Sequence, residues 1–257
     1  MMNKQITWLL KEKYHNRATK KFERDVLRLK RGEPLDYVIG FAEFLGCKID
    51  LSKKPFIPRP ETEFWVKETI EIIKKSYSQN ERSLVLGVSL YIRILDIFSG
   101  SGCIGLAILK HIKNASVDFA DIDRKCLEQA KINCQINKIS PARYKIIKSD
   151  VFKNIKGKYD FILANPPYIA ETRKSKIQKS VLKYEPRQAL FGGKDGLFYI
   201  RRFLKEAKNH LNKEGKIYME FDFMQKKEIE KILRKFRYNN FEFKKDQYNK
   251  WRWLIAS

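Results

Sequence analysis

Acidic residues are few in this chain: 30 Asp and Glu stand against 54 Lys and Arg, a formal net charge of +24 over 257 residues. Histidine is scarcer still, and His15, His111 and His210 fall at no metal-ligand spacing, so no metal centre is expected. Cys47, Cys103, Cys126 and Cys134 contain no C-x-x-C pair, which argues for packed, reduced thiols rather than a disulfide framework or a zinc site. No apolar run reaches the roughly 18–20 residues of a membrane span. The longest, Leu84 to Phe98, is interrupted by Arg93. The first residues are too short in apolar character for a signal peptide, and a cytoplasmic location is expected. There is no internal repeat and no low-complexity tract.

The basic excess has two readings. One is a solvated, lysine-rich surface; the other is a nucleic-acid partner. The cluster Arg173, Lys174, Lys176, Lys179, Lys183 and Arg187 is the sharper feature, because it directly follows the most informative tetrapeptide in the chain.

That tetrapeptide is Asn165-Pro166-Pro167-Tyr168, at the end of the strand-like run Tyr159–Ala164. Two consecutive prolines fix φ and carry no N–H, so the turn is stiff and its carbonyls stay available. The Asn165 side-chain oxygen and the Pro166 carbonyl can each accept a hydrogen bond from one NH₂ group, and Tyr168 offers a flat wall for a planar amide or base. Taken alone, Asn-Pro-Pro is only a turn signal.

About 70 residues upstream, the apolar run Ile94–Ile97 ends in Phe98-Ser99-Gly100-Ser101-Gly102, and a helical pattern follows (Ile104, Ala107, Ile108, Ile112). Strand, glycine turn, then helix is how open α/β folds bring backbone and a helix N-terminus against a ligand. About 20 residues beyond Gly102, Asp121 closes a second short strand, where a nucleoside-binding βαβ unit places its ribose acceptor. The turn lacks full G-x-G-x-x-G spacing, and Phe98 stands where glycine is frequent.

The Asp96–Gly102 segment resembles the first motif of class I S-adenosylmethionine-dependent methyltransferases, and Asn165–Tyr168 resembles their amino-methylating motif. That pair is also compatible with adenine-N6 methyltransferases acting on RNA or DNA. Further segments narrow the choice: Arg31-Gly32-Glu33-Pro34-Leu35-Asp36-Tyr37, Ile57-Pro58-Arg59-Pro60-Glu61-Thr62-Glu63, Tyr184-Glu185-Pro186-Arg187, and Ala189-Leu190-Phe191-Gly192-Gly193. They resemble the protein-(glutamine-N5) methyltransferases of peptide chain release factors. The ribosomal-protein glutamine methyltransferases share the tetrapeptide but usually carry a different Pro-Arg segment.

The resemblance implies an α/β, Rossmann-like class I methyltransferase fold. Its mostly parallel seven-stranded sheet would carry helices on both faces, preceded by a small helical segment and a β-hairpin. It divides the chain into a short recognition segment (1–33), a hairpin linker (34–58) and a catalytic domain (59–257). It implies S-adenosyl-L-methionine as cofactor, a release factor as protein partner, no membrane and a monomer; nucleic acid is the less favoured partner. Asn165, Pro166 and Tyr168 are the expected catalytic residues. Asp96 and the turn Phe98, Ser99, Gly100, Ser101, Gly102 would hold the methionine end of the cofactor, with Asn165 beside it. Asp121 would take the ribose, and Asp150 and Val151 would flank the base. Arg59, Glu61 and Glu185 join Asn165, Pro166, Pro167 and Tyr168 as substrate-side residues, although Glu61 also fits a plain first-turn helix charge and Glu185 a loop-orienting role.

Before the Arg-Gly-Glu-Pro segment, relatives usually carry a bundle of several helices. Here residues 3–30 show one amphipathic pattern (Ile6, Leu10, Tyr14, Ala18, Phe22, Val26, Leu29), enough for one long helix or two short ones, a rod rather than a bundle. A hairpin is expected over 37–57 and a helix from Pro60. Further helices are expected after Asp123, near 196–212 and around Ile229–Phe236. Strands are expected at Tyr144–Lys148 and near 215–221, with a closing antiparallel pair. The stretch Leu84–Leu90 is open between an edge strand and a helix end.

Overall fold

The computed structural model describes residues 2–78 and 91–257, so the Leu84–Leu90 stretch lies outside the described residues. The amphipathic pattern at the N-terminus becomes two helices, α1 (Met2–Tyr14) and α2 (Lys20–Lys30). Between them His15 and Asn16 take left-handed backbone (φ 47° and 63°), and the Thr19 side chain caps α2 by accepting the Phe22 N–H at 3.2 Å. The helices fold back on each other and on α3 (Leu35–Ile39) around Leu9, Leu29, Val38 and Ile39, so the expected rod is instead a small helical cluster with its own core. Buried Asp25 ties it together, accepting hydrogen bonds from Lys13 (2.8 Å), Tyr14 (2.7 Å) and Arg28 (2.8 Å).

The hairpin, β1 (Phe41–Phe44) and β2 (Cys47–Asp50), is shorter than expected because the apolar run before it is helical. Helices α4 (Pro60–Ser78), α5 (Cys103–His111) and α6 (Arg124–Ile136) follow. Gln129 and Asn133 on α6, and Asn137 at its C-cap, follow at four-residue spacing along one helix face. Asn137 Oδ1 accepts the Lys48 N–H (3.0 Å) while its Nδ2 donates to the Lys48 carbonyl (2.7 Å); Asn133 Oδ1 accepts the Asp50 N–H (2.8 Å) and Gln129 Oε1 that of Lys53 (2.8 Å). A row of side-chain amides thus stands where a third strand would.

The main sheet holds β3 (Ile92–Ile97), β4 (Ala115–Asp121), β5 (Tyr144–Lys148), β6 (Tyr159–Ala164), β7 (Leu211–Glu220), β8 (Phe241–Lys245) and β9 (Trp251–Ala256). Its seven strands run in the order β5-β4-β3-β6-β7-β9-β8, parallel through β7 and antiparallel for the last two pairings. Central strands β3 and β6 are almost wholly buried, which is why they read as continuous apolar runs. Apolar clusters cover both faces, one around Trp65, Ile94 and Phe119 and another around Leu95, Ile162 and Phe203. Helices α7 (Lys179–Tyr184), α8 (Arg187–Leu190), α9 (Phe198–Glu206) and α10 (Lys226–Lys235) complete the chain. None of the described helices is long and apolar enough to cross a membrane.

Register sets the functional end of the sheet. Ile97 pairs with Ala120 on one side and Ala164 on the other, Ala164 pairs with Met219, and Asp121 pairs with Lys148. The next residues therefore emerge side by side at the carboxyl ends: Asp150 after β5, Asp121 on β4, Phe98 after β3, Asn165 after β6 and Glu220 on β7. This is the switch point of an open α/β sheet, where ligands bind.

Candidate active site

One cleft at this edge is lined by Phe98, Ser99, Gly100, Ser101, Asp121, Asp150, Val151 and Asn165 through Tyr168, together with Pro58, Thr62 and Gln188 through Leu190. Asp121 Oδ2 accepts the Gly100 N–H and its Oδ1 the Asp123 N–H, both at 2.9 Å, and burial pushes its carboxyl above the ordinary aspartate range. Asp96 lies beneath the turn, fully buried and outside the cleft lining. Its Oδ2 accepts the Gly105 N–H at 2.9 Å, its Oδ1 has no partner among the described residues, and burial pushes its carboxyl well above the usual value. Ser99 Oγ, buried in the same turn, is likewise without a partner among the described residues. Gly102 does not line the cleft; it heads α5.

Two cleft residues hold unusual backbone. Phe98 sits at φ 62°, its ring packed edge-on to Tyr199 at 5.9 Å and near Phe203 at 6.3 Å, which compensates a position glycine would occupy more freely. Val151 sits at φ 51°, an uncommon conformation for a β-branched residue, where Ser149 Oγ donates to its carbonyl at 2.7 Å. The neighbouring Asp150 carboxylate is held by both Arg202 amino groups at 2.8 and 2.9 Å, and that pairing keeps it below the ordinary range.

On the substrate side, Asn165 Nδ2 donates to Thr62 Oγ1 at 3.2 Å, and Thr62 donates to Glu220 Oε2 at 2.6 Å. Glu220 Oε2 also accepts from Trp65 Nε1 at 2.7 Å, and its Oε1 from the Tyr168 hydroxyl at 2.9 Å. Glu220 is buried, which pushes its carboxyl up; burial likewise raises the Tyr168 phenol well above its usual value. Among the described residues no donor reaches Asn165 Oδ1 or the Pro166 carbonyl.

The turn is clamped from behind. The chain after α8 runs beside it: Ile169 N–H donates to Leu190 and Gly192 N–H to Ile169, both at 2.9 Å. A side-chain carbon at Gly192 would collide with the Pro167 carbonyl, and one at Gly196 with the Tyr168 carbonyl. Gln225 Nε2 donates to the Tyr168 and Gly196 carbonyls at 2.9 and 3.1 Å.

Three residues read as substrate-side from sequence lie outside the cleft lining. Arg59 and Glu185 form an ion pair at 2.5 Å, and Glu185, itself buried, also accepts the Ile57 N–H at 3.3 Å; together they pin the Pro-Arg segment to the strap before α8. Glu61 is half-buried in the first turn of α4. Sequence reasoning missed Thr62, Trp65, Glu220 and Gln225. The available signal was Glu220 itself, an acid closing the apolar run Ile217-Tyr218-Met219.

The fold and the Asn-Pro-Pro-Tyr turn beside a nucleoside-type cleft define a methyltransferase, and residues 85–194 match the family model of the methyltransferase small domain. The N-terminal domain of human METTL16 in complex with SAH superposes with a TM-score of 0.55 at 20% identity, covering 82% of this chain and 75% of that one. A ribosomal protein L11 methylase from Lactobacillus delbrueckii subsp. bulgaricus superposes with a TM-score of 0.53 at 20% identity, covering 80% and 82%. These two likenesses concern the fold. A release factor glutamine methyltransferase from Lactococcus lactis subsp. lactis (strain IL1403) is 34% identical over 230 residues, covering 89% of this chain and 79% of the relative. One from Thermodesulfovibrio yellowstonii is 35% identical over 220 residues, covering 85% and 74%. The chain belongs to the release factor glutamine methyltransferase family.

Proposed function

We propose that the protein transfers a methyl group from S-adenosyl-L-methionine to the side-chain nitrogen of the glutamine in the Gly-Gly-Gln motif of a peptide chain release factor. The observation that carries this reading is the Asn165–Pro166 pair of acceptor oxygens, which no donor reaches among the described residues, beside the glycine turn of a family member. On this reading residues 59–257 are the catalytic domain, 34–58 a linker and 1–33 a helical recognition segment. The enzyme acts as a cytoplasmic monomer.

The cleft suits a nucleoside cofactor. Asp121 has both oxygens on backbone donors yet lines the cleft, where ribose hydroxyls would reach it, and Ser99, which also lines it, keeps a buried hydroxyl with no partner among the described residues. Phe98 through Gly102 would hold the methionine end, and Asp150 and Val151 the base. When bound, S-adenosylmethionine supplies an electrophilic methyl group on a positively charged sulfur.

A primary amide nitrogen is a poor nucleophile because its lone pair is delocalised into the carbonyl. Asn165 Oδ1 and the Pro166 carbonyl would each accept one of its N–H groups, raising electron density on nitrogen and aiming it at the methyl. Fixed near-attack geometry supplies several kcal/mol of barrier lowering, and oriented dipoles stabilise the charge developing on nitrogen. Tyr168 walls the amide plane and excludes water. After transfer the N-methyl amide is cationic and strongly acidic, so its extra proton passes to solvent as the product leaves, without a dedicated base.

The direct test is methyl transfer from labelled S-adenosylmethionine to purified release factor, with total RNA in parallel. Label on the release factor, abolished when its Gly-Gly-Gln glutamine is replaced, is the expected result; label only on RNA would move the activity to adenine. Asn165→Ala is expected to leave cofactor affinity within a few-fold and to cut transfer by about 100-fold or more. Equal loss of both would make Asn165 structural.

A further inference from the structure

We infer that Thr62 and Glu220 are positioning residues that set which end of the Asn165 amide faces the substrate. The inference rests on the amide-methylating reading above.

An asparagine side chain is nearly symmetric in shape and opposite in chemistry at its two ends. With the oxygen toward the cleft, Asn165 accepts a substrate N–H; rotated by half a turn, it would set its own NH₂ against the substrate's NH₂. Shape alone does not distinguish these states, so a hydrogen-bond partner is needed to fix one of them. Three donors converge on the two oxygens of Glu220, which suits its carboxylate form, and with Glu220 as a carboxylate each link of the chain of partners has one direction.

The chain starts at Trp65, whose indole N–H can only donate, so Glu220 Oε2 at 2.7 Å is an acceptor. Thr62 Oγ1 lies 2.6 Å from the same oxygen and gives it its single proton. A hydroxyl whose proton is committed has only lone pairs left to offer, so its contact with Asn165 at 3.2 Å must be to the nitrogen. Asn165 Oδ1 is thereby turned away from Thr62 and left for the substrate. The Tyr168 hydroxyl holds the other oxygen of the same carboxylate at 2.9 Å, so both side chains that frame the substrate amide are oriented by one buried acid. Thr62 comes from the first turn of α4, Glu220 from the end of β7 and Asn165 from the turn after β6; three separate elements converge only in the folded state.

The hydroxyl of Thr62, not its bulk, carries the role. Thr62→Val keeps the shape and removes the link; Thr62→Ser keeps the link. Thr62→Val is expected to lower kcat about 10- to 100-fold, the range that misorientation of a reacting group produces. KM for the release factor and the affinity for S-adenosylhomocysteine are expected to stay within threefold. Thr62→Ser is expected to restore kcat to within about fivefold of wild type. A second readout does not depend on activity. With selective ¹⁵N-asparagine labelling, the side-chain NH₂ resonances of Asn165, assigned by their loss in Asn165→Ala, should shift in Thr62→Val and stay near their wild-type positions in Thr62→Ser. Unmoved resonances in Thr62→Val would overturn the inference. So would equal loss of kcat in the two variants, or loss of cofactor affinity in step with kcat. If the wild-type enzyme does not methylate release factor, the function proposed above falls, and the resonance comparison still decides the orientation of Asn165.

Discussion

Gly196→Ala puts a methyl group where the backbone of the active-site turn already stands. The added carbon would overlap the Tyr168 carbonyl oxygen, lie 2.7 Å from Gln225 Nε2 and 2.9 Å from the Ala170 nitrogen, and sit on a residue at φ 77°. Two costs add. Left-handed backbone disfavours any side chain by about 1–2 kcal/mol, and overpacking against atoms that cannot swing aside costs about 1–3 kcal/mol. The sum, about 2–5 kcal/mol, is a large share of the 5–15 kcal/mol typical of a domain. It corresponds to a fall in Tm of about 4–20 °C at about 2–4 °C per kcal/mol for a chain of this size. Gly32→Ala separates the two costs, because Gly32 has φ 84° but nothing within 4 Å of the added carbon. It should lose only about 1–2 kcal/mol. Urea unfolding followed by circular dichroism, with unchanged m-values, measures both. Because the collision is with Tyr168, Gly196→Ala should also lower methyl transfer, whereas Gly32→Ala should not. Equal destabilisation by the two substitutions would refute the claim that Gly196 supports the turn by close approach.

Burial favours a raised carboxyl for Asp25, but hydrogen bonds from Lys13, Tyr14 and Arg28 outweigh it and lower the group from 3.8 to about 2. A depressed folded value means its stabilisation is complete above the unfolded value near 4 and is lost as pH falls through 2, about 2 kcal/mol in all. Amide exchange of α2 should show wild type losing that much more protection free energy than Asp25→Asn between pH 5 and pH 2; parallel losses would contradict the assignment. Replacing Lys174, Lys176, Lys179 and Lys183 together by glutamine should lower kcat/KM for the release factor about tenfold at low salt, and the difference should vanish near 0.5 M salt. A salt-independent difference would mean these lysines do not steer the substrate.

Much of the site was legible because its parts are contiguous in sequence. Tyr144–Lys148 is a strand at the expected bounds, Asp123 caps α6 by accepting the Lys125 N–H at 2.9 Å, and the glycine turn and the Asn-Pro-Pro-Tyr turn sit at adjacent strand ends. What was missed depends on distance along the chain. The acceptor carboxylate of Glu220 meets Thr62 and Trp65 only through the folding of β7 against α4, and no local pattern announces such a pair. Tyr37-Val38-Ile39 was read into the hairpin because a short apolar run suits a strand and a buried helical turn equally. One long helix and two short ones both fitted residues 3–30 because the apolar period continues across the break, although Asn16 and Thr19 carried the stop and start signals that decide for two. Arg59 and Glu185 were legible as important residues but not as partners of each other.

The amide row on α6 has a consequence for how the protein behaves in a crowded solution. A two-stranded ribbon leaves outward-facing N–H and C=O groups that invite a strand from another molecule, the usual start of domain exchange and fibre growth. On β2 the outward groups of Lys48 are both taken by Asn137, and the outward N–H of Asp50 by Asn133. Helix side chains cannot be extended into a further strand, so this edge is closed to templated pairing. Replacing Asn133 and Asn137 by aliphatic residues would reopen it, and self-association rather than lost catalysis would be the first symptom.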